Sequence, residues 1–145
     1  MKQELVNVWM TKNVLTADPS TTLPEAHQMM MSHNIRRLPV VEKNGRLIGI
    51  VTLGDVRGAQ PSEASSLSIW EMNYLLANLK LKKIMTPDPV TIGPEATIGE
   101  AARLMLENKV SGLPVVNDEK KVIGIITESD IFSMVVLHEW EAAYA

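Results

Sequence analysis

Hydrophobic residues in this chain follow two alternating periods, helical and then strand-like, and the same succession is spelled twice. Leu23, Ala26 and Met30, with His27 on the same stripe, recur at helical spacing and predict a helix running to about Ser32. Its start is marked by Thr22-Leu23-Pro24-Glu25, where the threonine hydroxyl accepts from the backbone at Glu25 and the carboxylate reaches back. Proline suits that first turn, because its missing N–H has no helical partner there. Leu38-Pro39-Val40-Val41 and Leu47 to Thr52 are largely β-branched runs joined across Glu42-Lys43-Asn44-Gly45, which predicts a β-hairpin. Pro39 assigns its strand to a sheet edge or margin, where no ladder donor is required. After Thr52 the period is helical again, until Gly58-Ala59-Gln60-Pro61-Ser62 ends the helix in a linker of small and polar residues.

Laying Met10 on Met85, an offset of 75 residues, superposes Thr16 on Thr91, Pro19 on Pro94, Glu25 on Glu100 and Pro39 on Pro114. Without a gap the register continues to Gly49 on Gly124, Thr52 on Thr127 and Asp55 on Asp130. Such a register is the mark of a duplicated unit. The second copy has Thr97 and Glu100 as its helix start and Ile98, Ala101, Ala102 and Met105 as its stripe. Its hairpin turn, Asn117-Asp118-Glu119-Lys120, lacks the glycine and is expected to be looser. Between the copies, Ile69, Met72, Leu76 and Leu79 predict a helix from Ser68 to about Leu79, with Trp70 and Tyr74 beside the stripe.

The last helix carries Ile131, Met134, Val135 and His138 on one face and Phe132, Val136 and Trp140 on the next. A helix apolar over more than one stripe calls for a second partner, here another subunit. Residues 1–9 read as a short lead-in anchored by Leu5, Val6 and Trp9, and Met10 to Thr16 as an extended segment entering the unit. The expected fold is α+β: two strand-helix-strand-strand-helix repeats, residues 1–66 and 67–145, packed sheet to sheet about a pseudo-twofold axis. Neither copy alone could cover both faces of so small a sheet.

Composition narrows the function. The chain has 145 residues, 46% of them hydrophobic, enough to build a core. A net charge of −3 argues against nonspecific nucleic-acid binding, and 4% aromatics leave few platforms for stacking bases. The absence of cysteine excludes disulfides, thiolate metal sites and cysteine nucleophiles. No apolar run approaches a membrane span and the start lacks a signal-peptide core, so a cytoplasmic location is expected. His27, His33 and His138 have no metal-ligand spacing, and no catalytic grouping or phosphate-binding glycine loop is present. A non-enzyme with no required cofactor is the expectation.

Two constellations remain. Thr52 with Asp55, and Thr127 with Asp130, have the spacing of a helix cap, which is a complete structural role. The same geometry suits a carboxylate accepting from vicinal ribose hydroxyls, with the threonine and nearby N–H groups as phosphate donors. Arg36 and Arg37 are either a solvated surface pair or a bidentate phosphate clamp. The second copy has Ser111 and Gly112 there, with Lys109 in partial compensation.

The doubled pattern of Met-Thr, Leu-Pro-Val-Val, Gly-Ile-Val-Thr or Gly-Ile-Ile-Thr and the closing Asp resembles a tandem pair of CBS domains, a Bateman module, over nearly the whole chain. The resemblance implies binding of an adenine nucleotide (AMP, ADP or ATP), or in some members S-adenosylmethionine, in clefts between the repeats. It implies that Asp55 and Asp130 hold the ribose, with Thr52 and Thr127 as partners. Thr11 and Thr86 would touch the ligand, Ile35 and Val110 pack on adenine, and Arg36, Arg37 and Lys109 face phosphates. It also implies a homodimer regulating another protein. The expected whole is a stand-alone regulatory module. The alternatives are a binder of S-adenosylmethionine or NAD, or an interaction module with vacant clefts.

Overall fold

The computed structural model describes residues 4–59 and 68–144, with the backbone alone described for Ile69 and residues 140–144. The linker residues Gln60, Pro61 and Ser62 and the side chain of Trp140 lie outside the described residues. In chain order the elements are α1 (Val6–Trp9), β1 (Thr11–Lys12), α2 (Leu23–Ser32), β2 (Arg37–Val41), β3 (Leu47–Thr52) and α3 (Leu53–Gly58). There follow α4 (Ile69–Asn78), α5 (Leu81–Ile84), β4 (Thr86–Pro87), α6 (Ile98–Asn108), β5 (Gly112–Val116), β6 (Val122–Thr127) and α7 (Glu128–Tyr144). The fold is α+β, with two three-stranded antiparallel sheets, β2-β3-β4 and β1-β6-β5.

The chain divides into two compact units, and this division differs from the division into repeats. One unit is Leu15–Pro89, built on the first repeat; the other joins Met1–Val14 to Val90–Ala145, built on the second. Each repeat's opening segment therefore packs into the unit of the other. Thr11 stands opposite Ile125 on β6, and Thr86 opposite Ile50 on β3. Val6, in the opening segment of the first repeat, is fully buried in the second-repeat core with Leu113 and Ile126. Leu81, its counterpart, is fully buried in the first-repeat core with Met30, Leu38 and Val51.

Local structure follows the residue patterns closely. The edge strands β2 and β5 carry Pro39 and Pro114, as the missing proline donors demand. Their outer margins are bridged by Ala17 and Ile92, whose N–H groups donate to the carbonyls of Pro39 and Pro114 at 2.8 and 3.1 Å. The α6 capping box is complete, Glu100 N–H to Thr97 Oγ1 at 3.1 Å and Thr97 N–H to Glu100 Oε2 at 3.3 Å. In α2 only half of it forms, the 3.4 Å bond from Glu25 N–H to Thr22 Oγ1. Of the three consecutive methionines, Met30 fills the core and Met29 packs against it, whereas Met31 is exposed.

The second hairpin turn corrects the expectation of a looser loop. Asn117 N–H donates to Lys121 O at 3.0 Å and Lys120 N–H to Asn117 O at 2.9 Å. The glycine turn has the same pair, Glu42 N–H to Arg46 O and Gly45 N–H to Glu42 O, both at 2.9 Å. Lys120 adopts φ 62°, the left-handed conformation that Gly45 adopts at φ 88°. Asn117 Oδ1 offsets part of that strain by accepting from the N–H groups of Glu119 and Lys121, each at 3.0 Å.

Candidate functional site

The first-repeat cluster forms where β3 ends and α3 begins. Thr52 N–H donates to Asp55 Oδ2 at 2.9 Å, and Asp55 N–H donates to Thr52 Oγ1 at 3.1 Å. This reciprocal cap orients the half-buried carboxylate and leaves Oδ1 outside it. Leu53 N–H donates to Arg36 O at 2.8 Å, tying the first turn of α3 to the entry of β2. Arg37 stands opposite Thr52 in the ladder. The Arg36 side chain is exposed, while Arg37 and Ile35 are half-buried. Thr86, exposed on β4, is brought alongside by its pairing with Ile50. Six predicted residues thus gather in one unit: Ile35, Arg36, Arg37, Thr52, Asp55 and Thr86.

The second-repeat cluster has the same frame and a different hydrogen-bond pattern. Thr127 N–H donates to Asp130 Oδ2 at 2.9 Å, and the Thr127 hydroxyl donates to that same oxygen at 3.1 Å. Glu128 N–H donates to Ser111 O at 3.0 Å, matching the tie from Leu53 to Arg36. Gly112 stands opposite Thr127, where the first unit has Arg37. Lys109 closes α6 in the left-handed conformation, φ 54°, and is exposed, as is Val110. Thr11 joins this cluster across β1 and β6. The bond from the threonine N–H to the carboxylate thus forms in both copies and the threonine cap in the first, and each copy presents a fixed carboxylate beside a strand end.

Two features were not anticipated from the sequence. The first is the exchange that gives Thr86 to the first-repeat cluster and Thr11 to the second. The second is the methionine before each threonine. A Cβ at Gly49 would collide with Met85 and lie 3.1 Å from Thr86 O; at Gly124 it would lie 2.5 Å from Met10 Sδ and 3.0 Å from Thr11 O. The repeated Met and Gly are thus packing partners that seat β4 on β3 and β1 on β6. Their co-occurrence in both copies was the available signal.

The CBS domain profile matches residues 4–62 and 81–137. The chain belongs to the CBS domain family. The CBS domain pair of protein MJ0100, in complex with 5′-methylthioadenosine and S-adenosyl-L-methionine, is 29% identical and superposes with a TM-score of 0.78, covering 92% of this chain and 97% of that one. CBSX2 from Arabidopsis thaliana, solved in complex with AMP, is 28% identical with a TM-score of 0.77, covering 94% of this chain and 98% of that one. An inosine-5′-monophosphate dehydrogenase from Korarchaeum cryptofilum is 36% identical over 121 residues, 83% of this chain and 22% of the enzyme. This CBS pair therefore spans about a fifth of the enzyme's length. Among the described residues no helix is long and apolar enough to cross a membrane.

Proposed function

We propose that this CBS pair is a regulatory module that binds an adenine nucleotide, AMP, ADP or ATP, and signals its presence to a partner protein. The observation that carries the reading is the Asp55 carboxylate in the first turn of α3, fixed by Thr52 with one oxygen outside the cap, beside a strand end flanked by Arg36 and Arg37. A carboxylate so held can accept from vicinal ribose hydroxyls, and guanidiniums nearby can grip phosphate. The AMP complex of CBSX2 and the methylthioadenosine and S-adenosyl-L-methionine complex of MJ0100 support an adenine-containing ligand. In this reading Ile35 and Val110 pack on the base, Thr11 and Thr86 contact the ligand, and Lys109 faces its 5′ end. The module works in the cytoplasm as a homodimer, without catalysis or a required cofactor. Isothermal titration with AMP, ADP, ATP, NAD and S-adenosylmethionine tests it: a nucleotide isotherm that weakens in Arg36→Ala is expected. Folded protein, free of copurified nucleotide, that gives no heat with any of them overturns it.

A second reading, an interaction module independent of ligand, is favoured by one observation. Phe132, Val136 and Leu137 are exposed on α7 and line an open depression of about 490 Å³. If that reading holds, Phe132→Ser abolishes association while nucleotides have no effect on it.

A further inference from the structure

The two clusters share a frame but differ in their free valences. A carboxylate has about four acceptor positions and a hydroxyl one proton to donate. In the first-repeat cluster Asp55 Oδ2 accepts one bond, from Thr52 N–H, while Thr52 Oγ1 accepts from Asp55 N–H and keeps its proton for another acceptor. In the second-repeat cluster Asp130 Oδ2 accepts two bonds, and the Thr127 proton is already committed to it. Thr127 can therefore donate to an incoming anion only by giving up its bond to Asp130, and Asp130 offers chiefly Oδ1 to a ribose.

The cations differ in the same sense. The first-repeat cluster has two guanidiniums, one of them on the ladder position opposite Thr52. The second has a glycine at that position and exposed ammoniums at Lys109, beyond the end of α6, and at Lys12, next to Thr11 on β1. A guanidinium presents a planar fork matched to phosphate, whereas an ammonium on a flexible stem acts as a point charge. Donor count and cation type thus change together.

We infer that the clusters take different ligand classes: the first-repeat cluster a 5′-phosphorylated adenine nucleotide, the second a neutral adenosine-type nucleoside. This rests on the adenine-ligand reading above and adds the assignment of each class to a cluster. Specificity lies in the Thr127 hydroxyl bond and in the exchange of Arg36 and Arg37 for Ser111 and Gly112. Lys109 makes a cationic 5′ substituent the wrong choice for the second cluster.

The test titrates AMP and adenosine into the full chain, comparing wild type with Asp55→Asn, Asp130→Asn and Arg36→Ala. AMP affinity is expected to fall by about tenfold or more in Asp55→Asn and Arg36→Ala, the scale of one charged hydrogen bond, and to hold in Asp130→Asn. Adenosine titrated into AMP-saturated wild type is expected to bind still, and to lose that binding in Asp130→Asn. The second titration needs no variant for its first result, so it stands even where a cap substitution unfolds the chain. AMP that blocks all adenosine binding, or that weakens equally in both aspartate variants, overturns the assignment and leaves the adenine-nucleotide reading intact. Folded wild type that binds neither compound overturns the assignment, and the adenine-nucleotide reading falls with it only where ADP and ATP also give no heat.

Discussion

Gly124 has no room for a side chain, because Met10 Sδ and the carbonyl of Thr11 occupy the space above it. Sulfur on a flexible stem can move aside, but the Thr11 carbonyl belongs to β1 and can retreat only by loosening its pairing with β6. Gly124→Ala should therefore cost about 2 kcal/mol, in the range of overpacked cores, read as a lowered denaturation midpoint. Met10→Ala in the same background should recover part of the loss but not all, since the carbonyl clash stays. At Asp18 the residue scale gives a pH effect. The Ser20 hydroxyl and N–H donate to Asp18 Oδ1 at 2.6 and 2.8 Å and, with a smaller contribution from Lys43, hold its pKa below the usual aspartate value. Because the folded pKa is depressed, the stabilisation is fully present above the ordinary aspartate range and is lost as pH falls through the lowered value. Ser20→Ala should raise the Asp18 titration toward the ordinary range, followed by carboxyl NMR. A titration that does not move would show that Ser20 is not the cause.

Among the elements, the hairpin turns show what the chain pattern makes legible and what it hides. The Asn-Gly signal predicted a hairpin, and β2 and β3 form it; the lack of glycine predicted a looser second turn, and the hydrogen bonds are the same. What the pattern hides is that a lysine can be held in the left-handed region when a neighbouring asparagine caps the turn. That conformation costs a side-chain-bearing residue about 1 kcal/mol relative to glycine. Lys120→Gly should therefore stabilise the protein by roughly that amount, visible as a raised melting temperature. The helix starts were legible in detail, because a threonine three residues before an acid has a local role that no tertiary contact alters. Thr97→Ala removes the 3.1 Å bond from Glu100 N–H to the threonine hydroxyl and should cost about 1 kcal/mol, whereas Thr22→Ala, losing a 3.4 Å bond, should cost less. Equal losses at the two would mean that the shorter bond at Thr97 confers no advantage. The pairing of threonine with aspartate at Thr52–Asp55 and Thr127–Asp130 was equally legible, but the direction of the threonine hydroxyl, a cap in the first copy alone, was not. It depends on turn geometry finer than residue spacing.

At the scale of the whole molecule, the exchange of opening segments could not be read from the sequence, and duplication itself is the reason. Gly49-Ile50-Val51-Thr52 and Gly124-Ile125-Ile126-Thr127 present nearly the same strand edge, so nothing in the residues of β1 says which edge it joins. Chain geometry decides, and it sends β1 to β6 and β4 to β3. The consequence for folding is that neither unit can be completed by its own repeat. Leu81 opens the second repeat by sequence, yet it is fully buried among first-repeat residues. Leu81→Ala should then destabilise by about 3 kcal/mol, as for other fully buried leucines. The place of the damage discriminates more sharply than its size. Hydrogen exchange should speed first in α2, β2 and β3, where the cavity opens, and later in α6, β5 and β6. Val6→Ala should do the reverse, since Val6 packs with Leu113 and Ile126. Were each substitution to loosen the repeat to which it belongs by sequence, the exchange would be wrong, and Thr86 and Thr11 would have to trade places between the two clusters.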